Sequence, residues 1–157
     1  MPSKRKKPYE KKSFESAGTP SDTSANIYMS MLLSPAWLNL TANQQRLYLY
    51  CKAQYYGEKN KHNGDLLTFT MNRSKWGKLY QLYALTNQAG FYRDRDALIE
   101  HGFIRVVVGG SNTRKKTIYA YSDMWQKWGK CDFSITPQDM SSSMLAKLQK
   151  EKETSPG

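Results

Sequence analysis

The run Gly109-Gly110-Ser111-Asn112-Thr113-Arg114-Lys115-Lys116 sets three consecutive cations behind two glycines and three small polar residues. At a loop tip, Arg114, Lys115 and Lys116 can reach phosphates, and each such contact releases counterions. Ser111, Asn112 and Thr113 can donate hydrogen bonds to phosphate oxygens. A second set lies upstream: Asn87, Gln88, Tyr92 and Arg93. Asn or Gln can pair bidentately with adenine, and Arg with guanine. A third set, Arg73, Lys75 and Lys78, suits the flanking sugar-phosphate backbone. The chemistry these residue types share is recognition of a polyanion. The plain alternative for each set is a solvated charged surface.

Residues for catalysis are missing from the pattern. The only histidines are His62, in a polar loop, and His101, at a helix end, and neither belongs to an HxH or HExxH motif. Cys51 and Cys131 lack CxxC spacing, so neither a zinc site nor a disulfide framework is expected. Asp94 and Asp96 point about 200° apart on a helix and form no dyad. Gly109-Gly110 is not followed by GK[ST], so the glycine pair is turn chemistry. None of the eleven tyrosines has an evident base beside it. The expectation is a binding protein with no catalytic residue, metal or cofactor. His101 reads as a cation easing a helix C-terminal dipole.

The elements that must position these sets follow from local signals. Ser34-Pro35 opens a short turn carrying Trp37 and Leu38. Thr41 and Gln44 match a capping box. The helix they start puts Leu47, Cys51, Gln54 and Tyr55 on one face, with Tyr48 and Tyr50 flanking, and ends near Gly57. Leu66-Leu67-Thr68-Phe69-Thr70 is a strand. Asn72 caps a second helix, with Trp76 and Leu79 inward and Arg73, Lys75 and Lys78 outward, running to Tyr80 or Tyr83. Thr86-Asn87 caps a third helix. Its Phe91 side gathers Arg95, Leu98 and Ile99; Ala89, Arg93, Asp96 and Glu100 fall opposite, and Tyr92 on the border. Asp96 and Glu100 would repel phosphates, pair with Arg93, or read a cytosine amine. Gly102 suits the C′ position. Phe103 to Val108 and Thr117 to Tyr121 are strands around the cationic tip. Trp125 and Trp128 close the core.

Charge agrees with this placement. The 157 residues carry a net charge of +11, and residues 66–130 hold eleven Lys/Arg against four Asp/Glu. Such an excess speeds encounters with polyanions. Residues 1–26, with Lys4-Arg5-Lys6-Lys7 and Lys11-Lys12, read as a disordered basic arm that lies along a phosphate backbone, enters a minor groove, or serves only solubility. Residues 27–130 form one domain. In 131–157, Met140, Met144, Leu145 and Leu148 recur at helical spacing, giving a short helix that docks on the domain or on a second subunit, or a disordered tail. No apolar run spans a bilayer and no secretory h-region is present, so the reading is cytoplasmic.

Helix-turn-helix followed by a basic hairpin is the winged-helix arrangement, an α+β fold of three helices plus a β-hairpin wing. The run Leu40-Thr41-Ala42-Asn43-Gln44-Gln45-Arg46-Leu47-Tyr48, then Phe69-Thr70, then residues 91–104 with Leu98-Ile99-Glu100-His101-Gly102-Phe103-Ile104, resembles winged-helix domains over about residues 30–128. It is most similar to those of plasmid and phage replication initiators and of accessory proteins of Gram-positive conjugative elements. The resemblance implies duplex DNA binding at an origin of transfer, an origin of replication or a promoter. The partners expected beside DNA are a relaxase or replication protein and a second copy of the chain on repeated half-sites. The rival expectations are an RNA- or ribosome-associated module using Tyr80, Tyr83 and Tyr92 as stacking surfaces, and a protein-interaction adaptor.

Overall fold

The computed structural model describes residues 10–20, 22–55, 67–72, 76–78, 80–84, 86–109 and 116–154. The basic run 4–7, Arg73, Lys75, and the tip residues Asn112, Arg114 and Lys115 lie outside the described residues.

The chain is mixed α+β. Two short helices, α1 (Met29–Leu32) and α2 (Pro35–Asn39), lead into α3 (Ala42–Lys52). Strand β1 (Thr68–Thr70) follows, then a helical stretch at 76–78 and the long helix α4 (Gln88–Glu100). Strands β2 (Ile104–Val108) and β3 (Ile118–Tyr121) complete an antiparallel sheet of order β1-β3-β2. Two 3-10 turns, Met124–Lys127 and Pro137–Asp139, lead to α5 (Ser142–Thr154).

Helices α2, α3 and α4 each start at a side-chain cap. Ser34 Oγ accepts from the Trp37 amide at 3.2 Å, with Pro35 preset in the first turn. At α3 the capping box closes in both directions: Thr41 Oγ1 accepts from the Gln44 amide at 3.3 Å, and Gln44 Oε1 accepts from the Thr41 amide at 3.0 Å. Asn87 Oδ1 accepts from the Gly90 amide at 3.0 Å. The end of α4 is a Schellman turn. The Phe103 amide donates to the Leu98 carbonyl, the Gly102 amide donates to the Ile99 carbonyl, and Gly102 has φ +80°. Phe103 and Leu98 are both fully buried beside it.

The core lies between α3, α4 and the inner face of the sheet. Leu47, Cys51, Phe69, Leu98, Ile99, Phe103 and Ile104 are its most buried members. Trp37 meets Tyr48 and Phe103 edge-on at 5.9 and 5.8 Å, and Trp125 stacks on Phe103 at 5.9 Å. Trp128 stacks on the His101 ring at 5.2 Å. Ile104 and Val106 point inward and Arg105 outward, as strand alternation requires. The register with β3 then shifts between Val106 and Val108. Past that shift both Val107 and Val108 are exposed, so the hairpin leaves the core surface there.

Three sequence expectations are corrected. Helix α3 ends at Lys52, not near Gly57. The Tyr121 hydroxyl donates to the Cys51 carbonyl at 2.6 Å, and Gln54 Nε2 donates to the Thr70 carbonyl at 2.8 Å. The chain turns there, with the Gln54 amide donating to the Cys51 carbonyl at 3.2 Å, and these side-chain bonds tie the turn to the sheet. Tyr48 is a core residue, and Tyr55, beyond the end of the helix, is exposed and not on its inner face. The helix around Trp76 stops before Tyr83, because Gln81 turns to φ 53°. Among the described residues no helix is long and apolar enough to cross a membrane.

Gly102 is constrained twice, by its left-handed backbone and by space. A Cβ there would lie 2.6 Å from the Trp125 backbone nitrogen, whereas at Gly129 (φ +81°) it would meet nothing within 4 Å. Gly129→Ala should cost about 1–2 kcal/mol, the left-handed penalty alone. Gly102→Ala should cost clearly more in the same urea melts; equal losses would refute the backbone clash.

Candidate nucleic-acid interface

Helix α4 is sided. Gly90, Phe91, Asp94, Arg95, Asp96, Leu98 and Ile99 are buried. Gln88, Ala89, Tyr92, Arg93 and Glu100 are exposed. Four of the predicted contact residues thus come together on its first turns: Asn87, Gln88, Tyr92 and Arg93. Their roles differ. Asn87 commits Oδ1 to the helix cap, so bidentate pairing with a base would compete with that cap. Gln88 is the exposed amide one residue further on. Tyr92 is 40% exposed, edge-on to Phe91 at 5.5 Å, with the Arg95 guanidinium 4.6 Å from its ring centre. The Arg93 side chain is 73% exposed, and its Nε lies 3.5 Å from Asp94 Oδ1. Its Asp94 partner is buried, while the mostly exposed guanidinium is able to turn outward.

The inner side of the helix holds two carboxylates. Asp94 accepts from the Tyr83 hydroxyl at 2.6 Å and from Gln44 Nε2 at 3.3 Å. Burial, reinforced by the hydrogen bond to Asp94, pushes the Tyr83 pKa far above its ordinary value. Tyr83 therefore stays a neutral donor and ties the 80–84 segment to α4. Tyr83 is buried and Tyr80 stacks on Tyr50 at 4.0 Å, so of the three tyrosines weighed as stacking surfaces only Tyr92 is exposed.

Asp96 overturns the helical-wheel expectation. The wheel puts it opposite Phe91, where it would pair with Arg93 or read a cytosine amine. It is buried, and it accepts from Arg95 Nε at 3.1 Å, Arg95 Nη2 at 3.0 Å, Ser141 Oγ at 2.7 Å and Ser143 Oγ at 2.7 Å. The partners come from a segment 45 and 47 positions later, which no wheel drawn on α4 alone contains. Arg95 also reaches Tyr119 Oη at 3.4 Å and Ser143 Oγ at 3.1 Å. Burial works against its positive charge, but Tyr119 and Asp96 outweigh burial and its pKa lies above the ordinary value. Sequence reasoning missed Ser141 and Ser143. The available signal was Ser141 as an N-cap: its Oγ accepts from the Met144 amide at 3.3 Å.

Of the remaining predicted contacts, Lys78 and Lys116 are exposed, and Arg105 adds an exposed cation on β2 that sequence reasoning did not single out. Gly109 and Lys116 mark the two described ends of the hairpin beside the tip. His101 Nδ1 lies 2.7 Å from the Ala97 carbonyl oxygen and Nε2 lies 2.8 Å from Asn39 Oδ1, so the ring joins the end of α4 to α2. Cys51 is fully buried, and burial pushes its thiol far above the ordinary range, which makes it unreactive. Among the described residues no group of three His, Cys, Asp or Glu could hold a metal ion. Comparison with known protein families, curated proteins and solved structures finds no match.

The buried phenols set an alkaline limit. Burial raises the pKa of Tyr48, Tyr83 and Tyr119. Above the unfolded tyrosine value of about 10, the unfolded chain releases protons that the folded chain keeps, so their contribution to stability declines as pH rises. Tyr83→Phe should lower stability near neutral pH by about 1–3 kcal/mol, because Asp94 loses its shortest donor. It should also soften the alkaline decline. Urea melts from neutral pH to about 11 test both, and an unchanged slope in the variant would count against the Tyr83–Asp94 link.

Proposed function

We propose that this chain binds double-stranded DNA as a winged-helix domain, with α4 as recognition helix and the β2–β3 hairpin as wing. The observation that carries the reading is the exposed, polar first half of α4, combined with a β1-β3-β2 sheet whose β2–β3 connection is the most cationic run of the domain. In helix-turn-helix docking, the N-terminal residues of the second helix meet base edges in the major groove. Gln88, Tyr92 and Arg93 are the side chains this reading assigns to base edges, and Asn87 adds an amide that stays partly engaged in its cap. Lys116 with Arg114, Lys115 and Asn112 would hold the backbone, and Arg73, Lys75 and Lys78 would track the flanking phosphates. Burial of Tyr83 and stacking of Tyr80 weigh against a single-strand stacking surface.

The biological setting follows from the resemblance alone. The protein would act in the cytoplasm as an accessory factor of a mobile element, marking a transfer or replication site for a relaxase or replication protein, or as a transcriptional regulator. A homodimer on paired half-sites belongs to the same reading. The exposed apolar side chains Tyr28, Met29, Leu33 and Leu38, on and beside α1 and α2, would suit a second copy.

Fluorescence anisotropy with a random-sequence duplex and the matching single strand, over a salt series, tests this. The duplex should win, with a steep negative log–log slope. Replacing Arg114, Lys115 and Lys116 by Ala should flatten the slope by about 0.9 per lost phosphate contact. Absence of binding, or preference for the single strand, would refute the proposal.

A further inference from the structure

Gln88, Tyr92 and Asp96 follow one another at intervals of four on α4, so they stand in one line along the helix. The first two are exposed. The third is covered by Ser141 and Ser143. The segment that carries these serines sits between α4 and the roots of the hairpin, since Arg95, Val106, Gly109, Thr117 and Ser141 line one small cavity.

We propose that the C-terminal segment 137–154 positions the recognition surface. Ser141 and Ser143 hold Asp96, Asp96 orients Arg95, and the Arg95 guanidinium holds the Tyr92 ring for contact with DNA. The inference rests on the reading of α4 as recognition helix.

Each link has a physical reason. Four donor contacts occupy the two Asp96 oxygens, so a carboxylate in line with DNA-facing residues is withdrawn from the surface and no longer repels phosphates. Arg95 donates Nε and Nη2 to Asp96 and Nη1 to Tyr119, which fixes its plane along two edges. A fixed guanidinium offers its face to a ring, and the Tyr92 ring lies 4.6 Å away. The other side of Tyr92 meets Phe91. Tyr92 is thus braced by two neighbours while remaining 40% exposed. The segment itself is no phosphate-binding arm: residues 137–154 carry Lys147, Lys150 and Lys152 against Asp139, Glu151 and Glu153. It is docked by its serines, by buried Met144, and by Met140 packed on the core.

The test is the full chain with Ser141→Ala and Ser143→Ala together, beside the milder Ser143→Ala and the hydroxyl-retaining Ser143→Thr. Two readouts are taken: duplex binding by anisotropy over a salt series, and the Tyr92 ring resonances of the DNA-free protein by NMR. The double variant should bind duplex weaker by on the order of fivefold to tenfold. Its salt slope should be unchanged, because no cation is lost, and its Tyr92 resonances should shift toward an averaged ring. Ser143→Ala should lie between, and Ser143→Thr should restore binding. A double variant that binds like the unaltered chain, or tighter, would overturn the proposal, as would a flattened slope or unmoved Tyr92 resonances. Failure of the unaltered chain to bind duplex would sink the reading of the domain as well, which separates the two outcomes.

Discussion

Helix α4 buries two carboxylates and a guanidinium within three consecutive residues, and much of the molecule is arranged to satisfy them. A buried charge without partners is strongly destabilising, so each group must recruit donors or acceptors. Asp94 recruits Tyr83 and Gln44, which joins the 80–84 segment and the start of α3 to the helix. Asp96 recruits Arg95, Ser141 and Ser143, which joins the C-terminal segment. Arg95 extends the network to Tyr119 on the central strand. Four other parts of the chain converge on the middle of one helix, and one face of its first turns is left exposed.

That division of labour matters for the proposed chemistry. A recognition surface must keep its polar side chains within tight limits, and polar networks that are fully satisfied are stiff. The first turns of α4 are held from below by Phe91 in the core and from the side by Arg95, while the cap at Asn87 fixes where the helix begins. At the other end, the Schellman turn at Gly102 passes the chain directly into β2. The register shift after Val106 then takes the hairpin off the core surface. Helix start, helix end and hairpin exit are therefore each set by a short local device, and the buried charges set how the pieces sit together.

The local devices were legible in the sequence. Ser34-Pro35, Thr41 with Gln44, Asn87 and Gly102 all announce themselves within a few residues, because a cap is chemistry between near neighbours. The strands around the cationic tip were legible from their β-branched and aromatic residues. Long-range satisfaction was not. A wheel assigns Asp96 to solvent because carboxylates usually sit there, and it cannot see serines far along the chain. The end of α3 involves similar long-range contacts: the Cys51 carbonyl accepts from Tyr121, and the Gln54 side chain donates to Thr70. A wheel puts Tyr48 beside the apolar face, and its cluster with Trp37 and Phe103 is one that only tertiary contact creates. Of the contact residues, those on α4 could be placed on one exposed half-helix, and the cations whose value depends on the hairpin tip rest on the sequence.

Amide chemical-shift mapping of the labelled full chain against a short duplex, at low salt, tests the central claim most directly. The account predicts perturbations concentrated on residues 87–93 and on the hairpin between Val108 and Thr117, with α1 and α2 little affected. Perturbations centred on α1, α2 or the outer end of α5, or none at all, would contradict it.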